Sequence, residues 1–199
     1  MRKLLMVLMV PFFLAACGAE PIWAPDEQVK AAIYRAPGPT KLALFTMVNN
    51  RSQEGAHTGL MVSGSQRVLF DPAGTFYHPS IPERNDVHFG IRDNVLNFYL
   101  DYHARESFHV VVQEIEVSPE VAELALRLVQ EQGAVSKAMC TNSTSSILSQ
   151  LPGFESISTT WFPGKLRKQF AKIPGVREAK VFDDSPDYNK ALPQQVTLN

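Results

Sequence analysis

The chain has 199 residues, 45% hydrophobic and 20% charged, with a formal net charge of −1 at pH 7. That is enough for one domain with an ordinary apolar core. No basic arm or dense Lys/Arg block is present, which argues against nucleic acid as a partner, and beyond the N-terminus no second apolar run is long enough to cross a membrane.

The chain opens MRKLLMVLMVPFFLAACG. Arg2 and Lys3 precede an apolar stretch from Leu4 to Leu14, then the small residues Ala15 and Ala16, so residues 1–16 read as an export signal. Its loss takes the charge from −1 to −3, because Arg2 and Lys3 go with it. Residues 17–40 hold Pro21, Pro25, Pro37 and Pro39 and are expected to be a tether, with one short helix in DEQVKAAIYR after Pro25. The folded domain is expected over 41–182. KLALFTMVNN (41–50) predicts a strand, and 56–62 and 66–71 predict two more, joined by SGS and ended by Pro72 and Gly74, which makes an antiparallel meander. Residues 72–92 look irregular. Val95, Leu96 and Tyr99 have helical spacing within 93–103, and FHVVVQEIEV (108–117) predicts a strand. Ser118-Pro119 marks N-cap and N1 of a helix whose stripe is Val121, Leu124, Ala125, Leu128 and Val129, closed by Gly133.

A second helix of this half is expected from Cys140 to Gln150, although Thr141 through Ser146 prefer caps and turns, so packing must hold it. A third runs over Lys165 to Ile173 behind Pro163, with KLRKQFAK as a solvated basic face and Trp161-Phe162 as a core anchor. Residues 183–199 are polar and expected to fray. The fold class is α+β: an antiparallel sheet or partial barrel packed against helices.

Two cysteines are present, Cys17 and Cys140. A thiolate is a nucleophile, and a helix start or an imidazolium lowers its pKa from about 8.5. Cys140 stands at the expected helix start. Among the five histidines, His57 has small neighbours in Ala56-His57-Thr58-Gly59 at the head of a strand, and His103 is the alternative base. A catalytic imidazole needs an orienting partner. With the turn centred on Gly64, Asp71 lies opposite His57 on the same face of the sheet; a plain alternative is that Asp71-Pro72 merely starts a turn. No histidine pair has a usual zinc spacing, so neither a metal site nor a cofactor is expected.

Two resemblances join these residues. Leu14-Ala15-Ala16-Cys17-Gly18 resembles a bacterial lipobox, which implies acylation of Cys17 at a new N-terminus; several chains anchor stably where one does not. Cys140 then has no intramolecular partner. Gly18 in place of an aspartate resembles the pattern sent to the outer membrane, facing the periplasm. AHTGLMV, VLFD and AMCTNSTSSIL, in that order, resemble the permuted NlpC/P60 branch of the papain-like superfamily over roughly residues 41–172. That resemblance implies Cys140 as nucleophile, His57 as base and then acid, Asp71 as orienter, and an amide or ester substrate such as peptidoglycan or another envelope molecule. SKAM before Cys140 departs from it, lacking the aromatic or asparagine of many relatives. Acyl transfer, or a noncatalytic binding module of the same shape, are the competing functions.

Overall fold

The computed structural model of the chain describes residues 18–19, 21–188, 192–193 and 197–198. The expected signal and Cys17 lie outside the described residues. One seven-stranded antiparallel sheet has the order β4-β5-β3-β2-β1-β6-β7, with β1 at Lys41–Asn49, β2 at Gly55–Ser63, β3 at Arg67–Phe70, β4 at Glu83–Arg84, β5 at Val87–Phe89, β6 at Phe108–Glu116 and β7 at Arg177–Val181. Five α-helices accompany it among the described residues: α1 (Asp26–Ala32), α2 (Asp93–His103), α3 (Pro119–Glu131), α4 (Cys140–Leu148) and α5 (Pro163–Phe170). The fold is therefore α+β, and the sheet is open, with β4 and β7 as its edges.

The period-two geometry of strands splits the core between two faces. Leu42, Leu44, Leu60, Val62, Val68 and Phe70 face one way and bury Ala125, Leu126 and Val129 of α3, Ile147 and Leu148 of α4, and Leu166 and Phe170 of α5. Ala43, Phe45, Met47, Met61 and Leu69 face the other way, onto Val95, Phe98, Tyr99 and Tyr102 of α2. Because both faces are covered, β1 reads as a near-continuous apolar run.

Ser118 Oγ accepts from Val121 N, Pro119 opens α3, and Gly133 follows it at a φ of +72°. In α4, packing outweighs propensity: Thr141, Ser143, Thr144 and Ser145 are buried. Ser145 Oγ accepts from Thr160 N at 3.0 Å, which ties α4 to the loop before α5.

Four expectations need amendment. The β2–β3 hairpin pairs Leu60 with Phe70 and Ser63 with Arg67, so facing residue numbers sum to 130, where a turn centred on Gly64 requires 128. Residues 72–92 contain the β4–β5 hairpin, whose turn is Asn85-Asp86 with φ of +47° and +68°. The described part of 17–40 is docked chain: Trp23 bridges Arg84, Arg67 N donates to the Tyr34 carbonyl, and Val117 N donates to that of Thr40. Trp161 and Phe162 are not core anchors, being 56% and 69% exposed, while Pro163 behind them is buried.

Candidate active site

The site forms at the end of the sheet where β2 begins and β3 ends. Pairing between β1 and β2 shifts register between Met47 and Val48, beside His57, and such irregularities re-aim side chains. The actual register places Gly59 nearer to Asp71 along the pair, so His57 is a diagonal neighbour on the same face. His57 Nε2 lies 2.8 Å from Asp71 Oδ1. The other ring nitrogen, Nδ1, is left free of Asp71, and the Cys140 side chain lies close enough to the ring for each group to shift the pKa of the other. The structure brings together all three residues singled out from the sequence.

Around Asp71 the packing is close. Its side chain has no solvent exposure. Tyr99 of α2 donates its hydroxyl to Asp71 Oδ1 at 2.9 Å. A Cβ on Gly59 would stand 2.3 Å from the Tyr99 hydroxyl, and a Cβ on Gly74 would stand 1.7 Å from Asp71 Oδ2. Both positions therefore need glycine for space. The Asp71 carbonyl accepts from Gly74 N at 3.0 Å, so this residue starts a turn as well as meeting His57.

Burial by itself pushes the Cys140 thiol up. The hydrogen bond and charge of His57, the Thr141 hydroxyl and the Thr58 backbone N–H outweigh it and hold the thiol below its ordinary value. Cys140 Sγ lies 3.7 Å from Thr141 Oγ1, which is 3.0 Å from Thr58 Oγ1. Burial by itself pulls His57 down, but the Asp71 carboxylate and Cys140 raise it to about 10. Burial opposes ionisation of Asp71 too; the charge and hydrogen bond of His57 win and keep its carboxyl far below the usual range. All three shifts favour thiolate, imidazolium and carboxylate.

His103 stacks beside His57, ring centroids 6.0 Å apart and 16° from parallel. Its Nδ1 is 2.9 Å from the Tyr99 carbonyl, so that nitrogen donates. Burial lowers His103 and His88 to about 4 each, leaving both neutral at pH 7. His57, Asp71 and His103 offer ligand atoms within 4.8 Å of one another. Spacing in the sequence concealed this trio, and a cation there would have to displace the proton that Nε2 donates to Asp71.

Asp86 was not foreseen as part of the site. Its carbonyl accepts from Asp71 N at 2.8 Å, Oδ1 from Ala73 N at 3.3 Å and Oδ2 from Val135 N at 2.7 Å. One residue thereby joins the loop carrying Asp71 to the loop leading into Cys140. Each loop contains an alanine at positive φ, Ala73 at +54° and Ala138 at +65°, conformations that persist only where surroundings impose them. The Asn85-Asp86 dipeptide between polar and apolar pairs was the available signal.

A cavity of about 230 Å³ opens beside His57, lined by Met47, Ala56, Ala73, Gly74, Thr75, His103 and Phe108. Across Ala73–Thr75 a second, of about 280 Å³, is lined by Asp71, Glu83, Asp86, His88, Gly18 and Ile22 among others. Comparisons with family models, with curated proteins and with solved structures found no match for this chain.

Proposed function

We propose that the chain is a lipid-anchored envelope thiol hydrolase of the permuted NlpC/P60, papain-like kind, acting on an amide or ester through Cys140, His57 and Asp71. The observation that carries this is His57 held through Nε2 against Asp71 while its ring stands beside the Cys140 thiol and lowers that thiol's pKa. The Cys140 thiolate attacks the carbonyl carbon and an S–C bond forms. The backbone N–H of Cys140, at the start of α4, donates to the oxyanion. His57 gives its Nδ1 proton to the leaving nitrogen or oxygen as that bond breaks. Water, losing a proton to His57, then opens the thioester and restores the thiolate. Anchoring is through acylated Cys17, on the outer membrane facing the periplasm, with peptidoglycan or another envelope molecule as substrate. An acyl acceptor other than water makes the same site a transferase.

The burial of Cys140, which is 8% exposed, favours one rival: a noncatalytic envelope module that keeps the shape. Alkylation of Cys140 across pH separates the two, with Cys17 replaced by serine so that one thiol reacts. Reactivity that titrates below about 8.5, and moves up in His57→Ala, supports the hydrolase. Labelling only after unfolding supports the rival. A mass increase on Cys140 equal to an acyl group, after incubation with activated amides or esters, tests the chemistry itself.

A further inference from the structure

Trp161 and Phe162 are adjacent, aromatic and more than half exposed. They stand immediately before α5, whose Lys165 N donates to the Phe162 carbonyl. Lys165, Lys168 and Lys172 follow at three- and four-residue steps along one line, all exposed. The apolar side of this helix, Leu166 and Phe170, is already buried in the core. Between Glu155 and Glu178 the sequence holds five cations and no acid, and none of these three lysines is paired with a carboxylate among the described residues. An apolar aromatic tip leading into an unneutralised cationic stripe complements the boundary of an anionic bilayer: rings at the acyl edge, ammonium groups among phosphates.

Position supports the same occupant. The start of α5 packs against the start of β2, where a Cβ on Gly55 would meet Pro163 Cβ at 2.8 Å. That is the end of the sheet carrying His57. Gly18 and Ile22 line the cavity at this end as well, so the N-terminal segment and the aromatic tip lie at one end of the domain. A tether through Cys17 would hold that end toward the membrane.

We infer that Trp161, Phe162, Lys165 and Lys168 of α5 and Lys172 just after it form a docking surface for anionic phospholipid, separate from any lipid carried on Cys17. The chain has two tryptophans, so the Trp23→Phe full-length chain reports from Trp161 alone, whatever else holds it to a vesicle. With phosphatidylglycerol vesicles bearing brominated acyl chains, Trp161 emission is expected to shift to the blue and be quenched. Lys165→Glu/Lys168→Glu/Lys172→Glu should weaken the anionic-lipid component by roughly a hundredfold, taking each lysine as about fivefold. Raised salt should weaken it in the parent and not in the charge-reversed chain. Phosphatidylcholine vesicles should give markedly less quenching. The inference is overturned if Trp161 stays open to acrylamide and untouched by brominated lipid while the chain sediments with the vesicles, or if the chain does not sediment with them. Equal quenching in the charge-reversed chain overturns the role of the lysines. Alkylation of Cys140 in the same chains is independent of all these outcomes, so the hydrolase proposal stands or falls by itself.

Discussion

Gly59→Ala tests whether Asp71 is held by Tyr99 through the space that a missing Cβ leaves. The new methyl carbon would stand 2.3 Å from the Tyr99 hydroxyl, against 3.4 Å for an ordinary contact, so the hydroxyl must retreat by about 1 Å. Its ring has little freedom, packed against Phe45 at 5.2 Å and Phe76 at 5.0 Å between centroids. Overpacking of this kind costs about 1–3 kcal/mol. Losing a hydrogen bond to a charged acceptor adds about 1.5–3 kcal/mol. The single substitution should therefore destabilise by roughly 2.5–6 kcal/mol, and Tyr99→Phe alone by about 1.5–3 kcal/mol. In the double variant the clashing oxygen is gone, and the methyl group meets the ring carbon at 3.4 Å, an ordinary contact. Alanine in a strand interior is also better than glycine by about 0.5–1 kcal/mol. The double variant should be no less stable than Tyr99→Phe, giving a favourable coupling at least as large as the Gly59→Ala cost itself, about 2.5–6 kcal/mol. Urea unfolding of the four chains measures this. Effects that add to within about 0.5 kcal/mol would refute the steric account.

Three further outcomes follow from the same geometry. Asp86→Ala leaves the Ala73 and Val135 N–H groups without their acceptor; unfolding stability should fall by about 1–3 kcal/mol and Cys140 alkylation should slow, with Asp86→Asn intermediate because asparagine keeps one oxygen and tolerates φ of +68°. His57 is raised to about 10, so its contribution to stability is fully present below its unfolded value near ~6.5 and is lost as pH rises through about 10; the stability margin over His57→Gln should shrink between pH 7 and pH 10, and a margin that grows would contradict the assignment. Thr141→Val removes the hydroxyl 3.7 Å from Cys140 Sγ, so the alkylation inflection should move up, by less than in His57→Ala.

Local chemistry was legible wherever one residue type has one good use. Ser118-Pro119 and Gly133 bracket α3 as the capping preferences require. The valines of β6 left little alternative to a strand. The hairpin register was displaced, yet His57 and Asp71 still share a face, because a shift of the number sum by two preserves parity and a shift by one does not. Non-local partners were out of reach. Tyr99 reads as one more member of an apolar helical stripe, and nothing near it in sequence announces that its hydroxyl meets Asp71, 28 residues away. β4 and β5, of two and three residues, are too short for alternation to show. β7 carries Arg177, Glu178 and Lys180 because an edge strand keeps charge outward, so its sequence shows no sustained apolar alternation. Trp161 and Phe162 are apolar yet exposed, because hydrophobicity argues for burial in one direction only and exposed aromatic residues are ordinary where a surface has a use for them.

The choice of a carboxylate at position 71 decides the resting charge of the site. Its side chain is fully enclosed and Oδ2 has no partner among the described residues. A carboxylate so placed would take up a proton unless a cation stood beside it. Three imidazoles surround it, but they are not equivalent. His103 has its Nδ1 proton committed to the Tyr99 carbonyl, and His88 lies 3.9 Å from Glu83, a carboxyl that burial raises to about 7; both rings are held neutral. His57 alone has the carboxylate on one nitrogen and the Cys140 thiol near its ring, so it is the ring on which a proton leaving Cys140 is stabilised. Tyr99 donates to the same oxygen as His57, which fixes the carboxylate in rotation and leaves Oδ2 above Gly74. An asparagine there would still orient the ring through its amide oxygen but would supply no charge to hold the His57 pKa up. In the proposed reaction Asp71 and His57 thus bias Cys140 toward thiolate before substrate arrives, and the burden on the remaining machinery falls on the oxyanion and the leaving group.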